Sequence, residues 1–252
     1  MPTVSHWGWN GNARRYWDFM YAMLYPKSPG PSLLTFSIRY AGKLQRIERM
    51  IHHYGSSLNA LPLLTQFRQQ PTDTYLLRVG YGGITGPLTN IRQDGSMYNA
   101  FHSFPDTLAG DDYSGDYGPN FLGVMLASAA YVVEDPDLGL VAYGGNLALD
   151  GQLVTVKPRD AVRRRAYIAS MGVYITISSG WIERFSFART NAKQVTVRII
   201  SGPSKATSAI VWVENPGTER QYVVTSAATR IVRGGWEVRL ANGTTEVTIG
   251  TA

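Results

Sequence analysis

Five aspartates crowd into the stretch Ile91 to Tyr117, IRQDGSMYNAFHSFPDTLAGDDYSGDY: Asp94, Asp106, Asp111, Asp112 and Asp116. One histidine, His102, and five aromatic rings share it. Hydrolysis of a glycosidic bond needs one protonated carboxyl beside the leaving oxygen and one ionised carboxylate as base or nucleophile. Four of these aspartates lie between 106 and 116, so mutual repulsion can raise one pKa while another stays low. Asp111, Asp112 and Asp116 are the acid/base candidates. Carboxylates interleaved with Tyr, Phe and His suit a polar, ring-shaped ligand such as a sugar. The competing explanation is a solvated, turn-rich acidic loop, and for Asp116 alone a cap at the start of a following helix.

Other chemistries find less support. GYGGITG lacks the Lys-Ser/Thr of a phosphate-binding loop, and no HExxH occurs. His52 and His53 are adjacent, so on a helix they diverge and cannot form an i, i+4 metal pair. No nucleophile elbow is visible. With no cysteine in the chain, disulfides, thiol catalysis and Cys-ligated metals are excluded. No metal or cofactor is expected.

The elements that must position these groups divide the chain in two. Trp9, Ala13, Tyr16, Trp17 and Met20 recur at helical spacing. Prolines 26, 29 and 31 then break the pattern across Ala22–Tyr40. Leu44, Ile47, Ile51 and Tyr54 predict a second helix stopping at Gly55. A third is predicted over Asn59–Gln70, with Pro62 in its first turn and Leu63, Leu64 and Phe67 inward. A short fourth covers Asp73–Val79, stopped by Gly80–Gly83. The 91–117 loop then feeds a mostly apolar helix from Pro119 to Val133, which such a composition would bury.

From Leu138 the period becomes two. Ten strands are predicted: 138–143, 152–157, 165–169, 173–178, 181–187, 194–200, 209–214, 221–225, 236–240 and 245–249. Val195, Val197 and Ile199 alternate with Thr196 and Arg198, as in a half-buried strand. Asn242-Gly243 is the strongest hairpin signal. Many short strands at this spacing predict a sandwich. The expected fold class is therefore α+β, with a helical region over 1–137 and an antiparallel β-sandwich over 138–252.

The totals are those of a globular chain: 252 residues, 44% hydrophobic and 17% charged, net charge +6. The charge is uneven, with 14 basic and 6 acidic residues from Gly151 onward. Such a half could attract an acidic polymer. Its basic residues are scattered along strands apart from Arg163, Arg164 and Arg165, so nucleic acid is not expected as a partner. No apolar run reaches the length of a membrane span, and the N-terminus lacks the pattern of a signal peptide. The chain opens abruptly on a motif-dense stretch, which reads as the later part of a longer protein. Its location stays open, with an extracellular full-length protein among the readings.

Three segments also carry a resemblance. HWGWNGNARRYWDF (6–19), GKLQRIERMIHHYGSSLNALPLL (42–64) and DGSMYNAFHSFPDTLAGDDYSGDYGPNFLG (94–123) resemble the domain-of-unknown-function family 5695, associated with six-hairpin glycosidase-like proteins. The resemblance implies an α/α toroid, of which this chain would be the C-terminal part, completed by a missing upstream helical segment. It implies a carbohydrate partner and marks Ala22–Tyr40 as an insertion. The expected function is a glycoside hydrolase, or a fragment of one. His6, Trp7, Trp9, His53, the loop residues His102, Tyr113 and Tyr117, and the carboxylates Asp94 and Asp106 would shape sugar subsites. Two alternatives stand beside it. One is a toroid-plus-sandwich polysaccharide lyase using His53, Tyr54, Asn59 and Arg92; the other is a non-catalytic carbohydrate-binding or structural remnant.

Overall fold

The computed structural model describes residues 53–85, 88, 91, 94–95, 123–203, 205–216, 218, 220–225, 228–241 and 243–252. The chain divides into two compact units, 1–67 with 75–125, and 68–74 with 126–252.

The first unit holds most of α1, His53–Gln69, and of α2, Thr74–Ile84. The predicted stop at Gly55 and restart at Asn59 do not occur, because α1 passes through both Gly55 and Pro62. Pro62 removes one backbone donor from the helix. Burial of Leu63, Leu64 and Phe67, each at most 2% exposed, outweighs that loss. Nor do Gly80 to Gly83 end the next helix. A β-carbon on Gly80 would lie 3.0 Å from the Leu64 side chain, so this glycine admits a close approach.

The second unit is a sandwich of thirteen strands. These are β1 Ala130–Asp135, β2 Gly139–Tyr143, β3 Gly145–Asp150, β4 Leu153–Pro158, β5 Arg165–Ile168, β6 Val173–Ile177 and β7 Trp181–Ala188. They continue as β8 Gln194–Ile200, β9 Ser208–Glu214, β10 Tyr222–Val224, β11 Ala228–Val232, β12 Gly235–Arg239 and β13 Thr244–Thr251. A seven-stranded sheet has the order β11-β12-β9-β6-β5-β1-β2, and a six-stranded sheet the order β10-β13-β8-β7-β4-β3. All pairings are antiparallel except β1 with β5. The inner faces meet in one core. Val132, Ile168, Ile175 and Val211 come from the larger sheet, and Val156, Phe185, Val197 and Val247 from the smaller. Alternation dictates this: in β8, Val195, Val197 and Ile199 are buried while Thr196 and Arg198 face out.

The expected α+β class, with a partial toroid as its first half, is overturned. Among the described residues helix is confined to α1, α2 and one turn at 123–126, and the fold is a β-sandwich. The predicted helix to Val133 shows why. A short apolar run reads equally as a buried helix or a buried strand. Here Ala130–Val133 form β1, buried on both faces between β2 and β5. The segment 134–139, where the pattern changes in sequence, lies in the β1–β2 hairpin. Within the region expected to be helical, Ala130–Asp135 is instead a strand of the sandwich. The Asn242-Gly243 hairpin is also absent, since β12 and β13 belong to different sheets and the connection crosses between them.

Candidate functional site

The outer face of the seven-stranded sheet carries the chemistry of the sandwich. Strand register sets three rows on it. Tyr131, Tyr167 and Tyr174 are cross-strand neighbours on β1, β5 and β6. Arg165, Thr176 and Trp212 form the next row on β5, β6 and β9. The third follows from Glu237 on β12 opposite Ile210 on β9.

The tyrosine row is closed. Arg68, which belongs to this unit, donates from Nη1 to the Tyr131 hydroxyl at 2.9 Å, and its guanidinium lies 4.6 Å from the Tyr174 ring centroid. The Tyr167 hydroxyl donates to the Arg68 carbonyl at 3.1 Å. Burial pushes the Tyr167 phenol up well above its ordinary value, so it remains a neutral donor. This row packs the face.

The second row opens into a groove of about 490 Å³, lined by Leu126, Ala127, Val162, Arg164, Arg165, Thr176, Ile177, Ser178, Trp181 and Trp212. Its rim is built by a buried arginine. Arg163, 3% exposed, donates from Nη1 to the carbonyl and hydroxyl of Ser128 at 2.7 and 2.8 Å, and from Nε to Asp160 at 2.9 Å. These bonds tie the 160–163 loop to the segment before β1. The next two residues are thereby presented to the groove. Arg164 donates to the Gly180 carbonyl and stacks 4.4 Å from the Trp181 ring centroid. Arg165 donates to the Ala127 carbonyl.

Trp212 is held differently. Its indole N–H donates to the Arg233 carbonyl at 3.1 Å. That carbonyl sits in the β11–β12 turn, where Arg233 and Gly234 both have positive φ, as a two-residue hairpin turn requires. Across the strand lies Gly235, whose missing side chain makes room for the indole: a β-carbon there would come 2.8 Å from Trp212 Cδ1. The ring is thus fixed yet half-exposed. Ser178 Oγ accepts from the Ile210 N–H at 2.8 Å, joining β6 to β9 beside it. A held aromatic ring, hydroxyls of Thr and Ser, and guanidinium donors together can stack on a ring-shaped ligand and bond its oxygens.

None of the sugar-site residues expected from the sequence is among the described residues that line the groove. Asp106, Asp111, Asp112, Asp116, His6, Trp7, Trp9, His102, Tyr113, Tyr117 and Arg92 fall outside the described residues, as does the segment 22–40. Asp94 is exposed in a turn, and His53, Tyr54 and Asn59 lie on α1. The groove residues were signalled only by the triple-arginine run and by tryptophans flanked by strand-like alternation. No helix among the described residues is long and apolar enough to cross a membrane.

Fold and groove define a β-sandwich protein with an arginine- and tryptophan-lined outer face. The chain matches the model of a family of unknown function (DUF5695) over residues 1–27 and 36–248, and it belongs to that family. Residues 28–35, inside the expected insertion, fall outside the match. No curated protein and no solved structure matches the chain.

Proposed function

We propose that this chain is a carbohydrate-active protein whose sandwich binds glycan in the Arg164–Trp212 groove. The observation that carries this reading is Trp212, pinned by its N–H to Arg233 and seated over Gly235 beside Thr176, Ser178 and two arginines. A fixed aromatic ring costs little entropy on binding, and neighbouring hydroxyls and guanidiniums supply directional bonds to sugar oxygens. Hydrolysis, in this reading, belongs to Asp111, Asp112 and Asp116 as acid and base, a role that rests on their density in the sequence.

Affinity electrophoresis and calorimetry of the full chain against a panel of soluble polysaccharides test the binding role. At least one glycan should bind, and Trp212→Ala should weaken it at least tenfold, roughly 1.4 kcal/mol. Failure of every glycan to bind, or unchanged binding by the variant, overturns the reading. Reducing ends released from the bound glycan should disappear in the Asp111→Asn, Asp112→Asn and Asp116→Asn variants. Binding without any release would keep the groove and remove the hydrolytic role.

A further inference from the structure

A second depression lies on the same sheet face. This one, about 560 Å³, is lined by Thr207, Ser208, Arg230, Glu237 and Arg239. Ser208, Ile210 and Trp212 alternate along β9 with the buried Ala209 and Val211, so all three face outward. Arg239 pairs with Ser208 across β12 and β9. Ser208 and Trp212 are four residue steps apart along the strand, roughly 13 Å at the usual rise. The two depressions therefore form one track, with Arg164 and Arg165 at one end and Arg239 at the other.

Charge along this track has one sign. Arg230 is neutralised by Glu237, its Nε 2.5 Å from the carboxylate. Arg164, Arg165 and Arg239 have no ion-pair partner among the described residues. Arg189 pairs with Glu134 and Arg198 with Glu183, both at 2.8 Å, whereas Arg159, Arg184, Arg220 and Arg233 also have no ion pair among the described residues, so it is the placement of the track arginines beside Trp212 that sets them apart. Uncompensated guanidiniums spaced along an aromatic-floored track match a polymer with regularly repeated negative groups.

Building on the glycan-binding reading, we infer that the ligand is an anionic polysaccharide, carrying carboxylate or sulfate groups that Arg164, Arg165 and Arg239 engage. The indole of Trp212 stacks on a sugar ring between them. Arg gives such groups two parallel donors, a geometry that Lys cannot supply.

Calorimetry of the full chain with polygalacturonate, dextran sulfate, neutral dextran and a single-stranded oligonucleotide of matched charge tests this. One of the two acidic glycans should bind at least tenfold more tightly than dextran, with affinity falling as salt rises. Arg239→Gln, an exposed change distant from the Arg163 anchor, should lower that affinity about tenfold, and Arg164→Gln with Arg165→Gln should lower it further. Which acidic glycan wins distinguishes carboxylate from sulfate. Equal affinity for dextran, or no loss in Arg239→Gln, overturns the inference while leaving glycan binding intact. Oligonucleotide binding as tight as the acidic glycan, and insensitive to Trp212→Ala, overturns it in favour of a general polyanion surface. No binding to any glycan fails the underlying reading as well.

Discussion

The two outer faces of the sandwich are made by the same alternation and differ in what they expose. On the six-stranded sheet, Thr155, Ser186, Thr196 and Thr248 stand in one cross-strand row, with Thr155 and Ser186 hydroxyls 2.9 Å apart. Beside that row Arg198 Nε lies 2.8 Å from Glu183 Oε2, paired by charge though off hydrogen-bond alignment. The short hydroxyls of this row offer a ligand no ring to stack on, although Arg184, opposite Arg198, also has no ion pair among the described residues. On the seven-stranded sheet the Trp212 indole, three phenols and guanidiniums occupy the equivalent positions, and Gly235 opens space for the indole. Outward-facing polarity is thus no guide to binding, nor is an unpaired arginine by itself; guanidiniums beside a held indole distinguish the seven-stranded face.

Removing the support of the arginine rim should break this contrast most strongly. Arg163→Ala leaves Asp160 and Ser128 without their buried partner, and should cost about 3 kcal/mol. Urea denaturation of the full chain should show it, together with weakened glycan binding as Arg164 and Arg165 lose their placement. Unchanged stability would mean the 160–163 loop is held by other contacts.

A smaller effect is expected at Gly202. Its φ is +71°, and a β-carbon there would lie 2.5 Å from Trp181 Nε1. Gly202→Ala should cost roughly 1–3 kcal/mol, shift Trp181 and alter the tryptophan fluorescence. A variant with native melting temperature and emission would show that the turn relaxes without disturbing the ring.

The least effect belongs to the opposite face. Ser186→Ala removes one hydroxyl from the exposed row and should change stability by no more than about 0.5 kcal/mol. Glycan affinity should stay at the wild-type value, and a tenfold loss would place the ligand on the six-stranded sheet instead.

Much of the sandwich was legible. Alternation in 194–200 and 209–214 marked β8 and β9 within a residue of their ends. Three strands were missed for identifiable reasons. β1 is buried on both faces and has no alternation to read. β3, GNLALD, and β11, ATRIV, lie at the margins of their sheets. The turn signals were real but incomplete. The Asn242-Gly243 signal fell between two strands, yet β12 and β13 belong to different sheets. Of the site, Arg163–Arg165 stood out only as a basic run. Their division of labour, one buried anchor and two groove residues, depends on Ser128 and Trp181.

Local chemistry alone settled that the second half is strands and which side chains of each strand face inward, because a period of two is imposed by the backbone within every strand. Which sheet each strand joins was left open by it, and so was the face that carries the groove. Those follow from pairings such as Thr176 with Trp212 and from the bond between Arg163 and Ser128. Contacts between residues more than thirty positions apart leave no periodic trace in the chain, so only their packing into a shared core selects them.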